Sequence, residues 1–392
     1  MAAAAPSSDA LEARTRRLGV IAAIAAISVA GMGFGHSIPL FSVLLERAGA
    51  SGTENGGAAA AGALAVIFAT PFYPRVIRRV GLQPFLLLSV VVMVASYAAI
   101  YAVREVVWAW YPIRFLFSMG ASGMFVGSEV WINGAATRET RGRLIGLYST
   151  CLAGGFFLGP VLLEQTGYDG SWPFVVGGLV FASAALPILL ATAPAADPEE
   201  DRDVRVFPLL RTAPVTFGAS TVFGAVESAL LVFIPLMVLA AGFGEGASAR
   251  SVAVYGLGLL AMQYLLGWAA SRFGIMRMLT FCALSAAAMA ALVPVSDDRL
   301  LTLFPVLFFL GGMVQGISTV GLVLLGDRFE GPKLAAASTG YATAWGLGAV
   351  LGPVVAGGVR DAAGFDAVFA GLVVVLGLYA AATVARRRAA FP

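Results

Sequence analysis

Four ionisable residues stand inside hydrophobic runs: His36 in GMGFGHSIPLF, Arg114 in YPIRFLFSMG, Glu129 in SGMFVGSEVWING and Glu227 in TVFGAVESALLVFIP. Near the centre of a bilayer each such residue costs about 2.5–3.5 kcal/mol by insertion scales, so each invites a functional explanation. A carboxyl in hydrocarbon is disfavoured in its charged form and becomes a candidate to take up and release a proton. Imidazole is already poised to do so, and a guanidinium keeps its charge and suits anions. Other chemistries lack their parts. One histidine, two cysteines (Cys151 and Cys282, both inside apolar runs) and no acid cluster in a loop leave no metal site, disulfide or hydrolytic constellation. No Gly-x-x-x-x-Gly-Lys-Ser/Thr loop is present, so no nucleotide or other cofactor is expected and energy should come from an ion gradient.

The solvent around these residues must be lipid. Of 392 residues, 59% are hydrophobic and 12% charged, and the mean hydropathy is +0.88; a water-soluble chain of this size has no means of hiding that much apolar surface. Crossing a bilayer takes about 20 apolar residues as a helix, and backbone groups in hydrocarbon must bond internally. The runs are continuous rather than alternating, which selects helices. Twelve are expected, near 18–45, 56–78, 84–103, 107–135, 143–166, 172–192, 213–241, 248–271, 275–295, 300–326, 333–358 and 365–387. The longest linker, 193–211, carries acidic and basic residues and reads as a solvated connection between two sets of six. That gives a first half 1–192, a linker 193–211 and a second half 212–392.

Cytoplasmic loops carry an excess of Lys and Arg. With the N-terminus inside, the inner segments hold nineteen of these residues and the outer loops five (Arg47, Arg104, Arg250, Arg299, Arg360), which sets both termini in the cytoplasm. The apolar run behind Arg14, Arg16 and Arg17 is too long for a signal-peptide core and is expected to remain as a span. The net charge of +3 follows from this topology and gives no reason to expect nucleic acid.

The two sets of six share one spacing. GGFFLGPVL holds Gly155, Gly159 and Pro160; GAVLGPVVAGG holds Gly348, Gly352 and Pro353, each displaced by 193 residues. The same offset relates Tyr148 to Tyr341 and Gly81 in RRVGLQP to Gly274 in SRFGIMR. A shared offset at separate places points to a duplicated six-helix unit, and since each copy begins and ends on the same side, the repeats are parallel. A cavity between the halves and alternating access by rocking follow from that arrangement.

These features resemble the major facilitator superfamily of transporters over essentially the whole chain, which implies an all-α integral membrane fold of two six-helix repeats. The family's loop between second and third helices commonly reads Gly-x-x-x-Asp-Arg-x-Gly-x-x-Arg/Lys. Here GWAASRFGIMR keeps Gly267, Arg272, Gly274 and Arg277 with Ser271 in place of the acid, and PRVIRRVGLQP keeps Arg79 and Gly81 with Arg78 in its place. Gly146, Gly155, Gly159 and Pro160 resemble the antiporter motif of proton-linked exporters, except that Leu163 and Glu164 replace its last glycine pair. The equally available reading is helix packing, because small residues four apart let helices approach in lipid. Glu129, Trp131, Asn133 and Arg141-Gly142-Arg143 resemble the YcaD-like bacterial branch, for which the resemblance implies a mechanism class rather than a cargo.

Each buried charge then has two readings. Glu227, near the middle of the seventh helix, is a proton or substrate site or a hydrogen-bonded structural carboxyl, and His36 faces the same choice. Glu129 is a gate acid that reaches Arg75, Arg79 or Arg143, in a gate that also holds Arg141, Arg272 and Arg277, or it serves the cavity. Arg114 is linked to proton movement or an anionic cargo, or it snorkels outward or bonds a carbonyl. Tyr148, Gln263, Tyr264, Gln315, Tyr341 and Trp345 are weaker cavity candidates. The expected protein is a monomeric secondary transporter in a bacterial-type inner membrane that exports a small molecule against protons. The alternatives are uptake of an organic anion or nutrient, with Arg114 as clamp, or a non-transporting receptor.

Overall fold

A computed structural model describes residues 8–135, 140–191, 212–296 and 298–390; the expected linker 193–211 lies outside them. The described chain is helical throughout its regular structure. Ten spans are α1 Ser8–Arg47, α2 Gly52–Val80, α3 Leu82–Ala102, α4 Trp110–Ala135, α5 Arg141–Thr166, α6 Trp172–Leu190, α7 Pro214–Ala240, α8 Glu245–Phe273, α9 Ile275–Leu292 and α10 Leu300–Arg328. A 60-residue helical stretch, Gly331–Ala390, follows. At 1.5 Å per residue it runs to roughly 90 Å, about three hydrocarbon cores. It breaks at Gly364, whose φ of 83° suits a residue without Cβ, and so supplies α11 (331–363) and α12 (365–390). Among the described residues twelve spans result, as the hydropathy pattern implies.

Boundaries agree with the sequence expectation to within a few residues at most ends. The first helix is the exception: it starts at Ser8 rather than near 18, because DALEARTRR contains no Gly or Pro to stop the helix from running past the apolar segment. Prolines shape two other spans. In α2 the Pro71–Pro74 region replaces an α-turn with a 3₁₀ turn, Thr70–Phe72. In α6 the helix is interrupted at Ala184, three residues before Pro187, which offers no N–H to the preceding turn.

The duplicated spacing has a direct structural counterpart. Gly31 and Gly35 of α1 face Gly155 and Gly159 of α5 so closely that a Cβ on Gly155 meets the Ser28 carbonyl and one on Gly159 meets the Met32 carbonyl and the His36 amide. In the second half, Gly348 and Gly352 of α11 lie equally close to the backbone of Thr221 and Ala225 on α7. Lipid offers no hydrophobic drive for helices to associate, so this backbone-to-backbone approach is what joins the first and fifth helices of each unit. Tyr148 and Tyr341 also play equivalent parts: the first hydroxyl meets Ser128 Oγ on α4 at 2.8 Å, and the second donates to the Ser318 carbonyl on α10 at 2.9 Å. Gly81 and Gly274 both adopt positive φ (89° and 96°) and turn the chain between the second and third helix of each unit. One expected member of the packing set fails. A Cβ on Gly146 meets nothing, since this first stretch of α5 is exposed rather than held against α1. Cys151, expected to be buried, is likewise only half-buried.

There are two main cores, and the first crosses between the halves, taking in Ala229, Val232, Phe233 and Leu236 of α7 and Ala356 of α11. The first contains Phe41, Tyr97, Trp110, Phe117 and Phe181, with the rings of Phe117 and Phe181 meeting edge-on at 5.5 Å. The second is mostly aliphatic, around Leu279, Leu303, Leu310, Ile317 and Leu376. Between the halves, α2 runs along α11 and α5 along α8.

The glycine assignment makes a paired prediction. Gly155→Ala should destabilise the protein by about 1–3 kcal/mol, because the neighbour it meets is backbone that has little freedom to yield. Gly154→Ala, whose Cβ meets nothing, should be neutral or slightly stabilising. Thermal unfolding of the two variants in detergent checks the difference.

Candidate functional site

Glu227 has thirteen residues on either side within α7, Pro214–Ala240, which puts its carboxyl about 20 Å of helix from both ends. One oxygen, Oε2, accepts a hydrogen bond of 3.2 Å from the indole Nε1 of Trp345 on α11. The other has no hydrogen-bond donor among the described residues. Tyr255 of α8 is fully buried and its hydroxyl also lacks a partner. The glycine contact with α11 explains why Trp345 can reach so far across: a Cβ on Gly224 of α7 would meet the Trp345 carbonyl, so the two backbones touch one turn before Glu227.

His36 is not beside it. The imidazole is fully buried inside the first half, with Nδ1 2.9 Å from the Tyr97 hydroxyl on α3 and Nε2 3.3 Å from Thr166 Oγ1 at the end of α5. Both ring nitrogens are thus engaged in tying three helices together within the aromatic core. The structure therefore favours the bonded, space-filling reading of His36.

Arg114 lies four residues into α4 and is 8% exposed. Its guanidinium lies over the Phe41 ring at 5.3 Å, and its Nε and Nη1 have no hydrogen-bond partner. It neither snorkels to the surface nor bonds a carbonyl, contrary to the outward reading. A buried donor without an acceptor is costly, and the cation–π contact offsets only part of that cost.

Glu129 is exposed although it stands six residues inside the end of α4. No ion pair reaches it among the described residues. Arg75, Arg79, Arg143, Arg272 and Arg277 are exposed and equally unpaired there; the side chain of Arg141 lies outside the description. Around them the same face is open: Leu147 of α5 and Tyr264, Leu265 and Trp268 of α8 are exposed, with Tyr264 at 80%. Gln263 is exposed with them, and Gln315 of α10 reaches Thr319 at 3.5 Å.

The opposite face, away from both chain ends, is shut by charge. Arg47 at the end of α1 pairs with Glu245 at the start of α8 and with Asp169 at 2.9 Å. Arg250 of α8 grips Glu164 of α5, with its Nε 3.2 Å from both carboxylate oxygens. Arg360 of α11 makes a two-pronged pair with Glu46 of α1, one prong at 2.7 Å. Beside it, Asp361 accepts hydrogen bonds from the Gly52 and Thr53 amides (2.6 and 2.8 Å) and from Thr53 Oγ1 (2.7 Å), at the N-terminus of α2. A negative side chain is favoured at that helix end. Every one of these sets except Arg47–Asp169 joins one half to the other. Close packing accompanies them, with Gly52 against Gly357 and Gly56 against Pro353. Further along α2, Ile67 lies against Gly346 of α11. The two halves are thus joined by charge and close packing on the far face, whereas on the termini face Glu129 and the arginines named above stand without ion pairs among the described residues.

The belt of pairs was missing from the sequence reading, yet a signal existed. Three of the five outer-loop arginines, Arg47, Arg250 and Arg360, are members of the belt, and each has an acid on the other half to meet. Glu164, which departs from the antiporter pattern, is one of those acids.

Two helical units with matching glycine contacts, joined across one face by ion pairs, make a multi-span membrane architecture. The chain belongs to the Major Facilitator Superfamily, whose family model matches residues 23–297 and 217–390. Its relatives include the uncharacterized MFS-type transporter YfkF of Bacillus subtilis strain 168, 25% identical over 338 residues, spanning 84% of this chain and 86% of YfkF. The uncharacterized MFS-type transporter YcaD of Shigella flexneri is 23% identical over 285 residues, 71% of this chain and 72% of YcaD. Among solved structures, the nucleoside transporter NupG superposes with a TM-score of 0.77 at 13% identity, covering 95% of this chain and 98% of NupG. A bacterial homologue of the human lysosomal transporter Spinster gives 0.76 at 15% identity, covering 94% and 96%.

The belt can be tested by charge reversal. Ala356 of α11 is buried in a core that it shares with the first half, so a cysteine there, in a background without Cys151, should be shielded while the far face is shut. Labelling of that cysteine by a membrane-impermeant maleimide should rise severalfold in Arg360→Glu and return toward the starting rate when Glu46→Arg is added.

Proposed function

We propose that this transporter exports a small molecule in exchange for protons, with Glu227 as the group that alternates between proton and cargo. The observation that carries the reading is the carboxyl at the midpoint of α7 with one oxygen on Trp345 and the other without a partner. In this account, cargo enters from the open termini face while the far-face belt is closed. Rocking of the halves then breaks the belt and exposes the cavity on the other side, where a proton neutralises Glu227 and cargo leaves. The proton is released once the termini face reopens. Exposed ion pairs are worth roughly 0.2–1 kcal/mol each, so the belt biases the equilibrium without trapping it. Glu129 and the arginines of the termini face are proposed to form the opposite latch when that face closes. On the charge bias of the loops, the termini face is the cytoplasmic one, in a bacterial-type inner membrane, and the transport unit is a monomer.

A second reading is supported by Arg114, whose two unpartnered nitrogens suit an anionic cargo carried inward with protons. The two are separable by flux. In vesicles with an imposed pH gradient, Glu227→Gln should lose at least tenfold in proton-driven transport while keeping the unfolding temperature of the wild type. Wild-type rates in that variant would remove Glu227 from the mechanism, and a flux lost only in Arg114→Ala would favour anion uptake.

A further inference from the structure

Glu227 has no counter-charge of its own. It stands thirteen residues from each end of α7, whereas every described Lys and Arg of α8 to α12 lies within six residues of a helix end. That leaves about 10 Å or more of helix axis between their level and the carboxyl. Arg250, the deepest of them, is already held by Glu164. The inward ionisable groups of the first half are engaged elsewhere: His36 with Tyr97 and Thr166, and Arg114 over the Phe41 ring. Tyr255 is within electrostatic reach of the carboxyl, but its hydroxyl is a neutral group. Among the described residues, no ion pair reaches Glu227, and its hydrogen bond to Trp345 is with an uncharged donor.

An ionised carboxyl away from water is held only with a partner charge. The chain brings none to this depth, so the partner must come from what is transported. The indole N–H of Trp345 can only donate, so Oε2 remains an acceptor whether or not the carboxyl carries a proton. Proton and cargo therefore contend for one atom, Oε1. The place is reachable, since Glu227 and Trp345 are half-buried rather than sealed in a core. It also lies near the junction of the halves, where Gly346, next to Trp345, meets Ile67 of α2. A group that sits on Oε1 in place of the proton must donate a hydrogen bond and bring positive charge, and a protonated amine does both. The neighbouring indole ring favours a cation further. We propose that the cargo is an organic monocation with an N–H, bound as an ammonium–carboxylate pair at Glu227 Oε1 and exchanged for one proton. The proposal rests on the reading of Glu227 as the exchanging group and adds the class of cargo and the stoichiometry. Both loaded states of the site are neutral, so a full cycle moves no net charge.

Thermal unfolding of the purified full chain in slightly alkaline buffer tests the class. The probes are a set of aryl and alkyl monoamines, beginning with benzylammonium and butylammonium, with the matched carboxylates and alcohols at equal ionic strength. Monoamines from the set should raise the unfolding temperature of wild type by several degrees and leave that of Glu227→Gln unmoved. The carboxylates and alcohols should have no effect on either. No amine effect in wild type, or one that survives Glu227→Gln, would overturn the proposal. Stabilisation by carboxylates in place of amines would also overturn it, yet leave proton exchange at Glu227 standing, because the pH-gradient flux of Glu227→Gln reports on that separately. The stoichiometry is read electrically. A jump in concentration of the stabilising amine over wild-type vesicles on a solid-supported membrane should give no sustained current beyond that of Glu227→Gln vesicles. A sustained current confined to wild type would contradict one-for-one exchange.

Discussion

Arginine and carboxylate pairs at a single face tie one half to the other, alongside a buried core that itself runs from the first half into α7 and α11. Arg47, Arg250 and Arg360 each reach an acid on the opposite half, and Asp361 caps the start of α2 from α11. On the other face Glu129 and the arginines near it are exposed and without ion pairs among the described residues. Pairs of this kind are cheap to break in water, which distinguishes them from the packing inside each half. In the proposed mechanism, the contact that opens must be weaker than the bodies that it separates.

Those bodies owe their rigidity to a different constraint. In lipid, helices are drawn together by contact and hydrogen bonding rather than by exclusion of water. The glycines at 31, 35, 155 and 159, and those at 348 and 352, permit backbones to touch. The aromatic core of the first half then fills the remaining volume, with His36 bonded at both nitrogens as part of that filling. Glu227 depends on the same device in the second half, because the close approach of α7 and α11 brings Trp345 within reach of its carboxyl.

The spans and the duplication were legible from the sequence because hydropathy and a 193-residue offset are properties of the chain alone. Glu227 was legible for a similar reason: a charge in the middle of an apolar run is conspicuous wherever the run is placed. Trp345 was visible only as a candidate, since nothing along the chain says that an indole 118 residues away will face that carboxyl. Gly146 misled because a small residue in a helix looks the same whether or not a neighbour fills the space above it. The far-face belt was the largest omission. Acids and arginines at the ends of spans resemble solvated loop charges, and their partners are separated by as many as 314 residues. Pairing there is decided by how the two halves face one another, which no local pattern encodes.

The most direct measurement is a pair of spin-label distances in the reconstituted protein: Ser171 to Ala241 across the far face, and Val80 to Phe273 across the termini face. With Arg47, Arg250 and Arg360 all replaced by Gln, the far-face distance should lengthen and the termini-face distance shorten. A far-face distance that stays at its wild-type value in that variant would contradict the claim that these pairs set which side of the transporter is open.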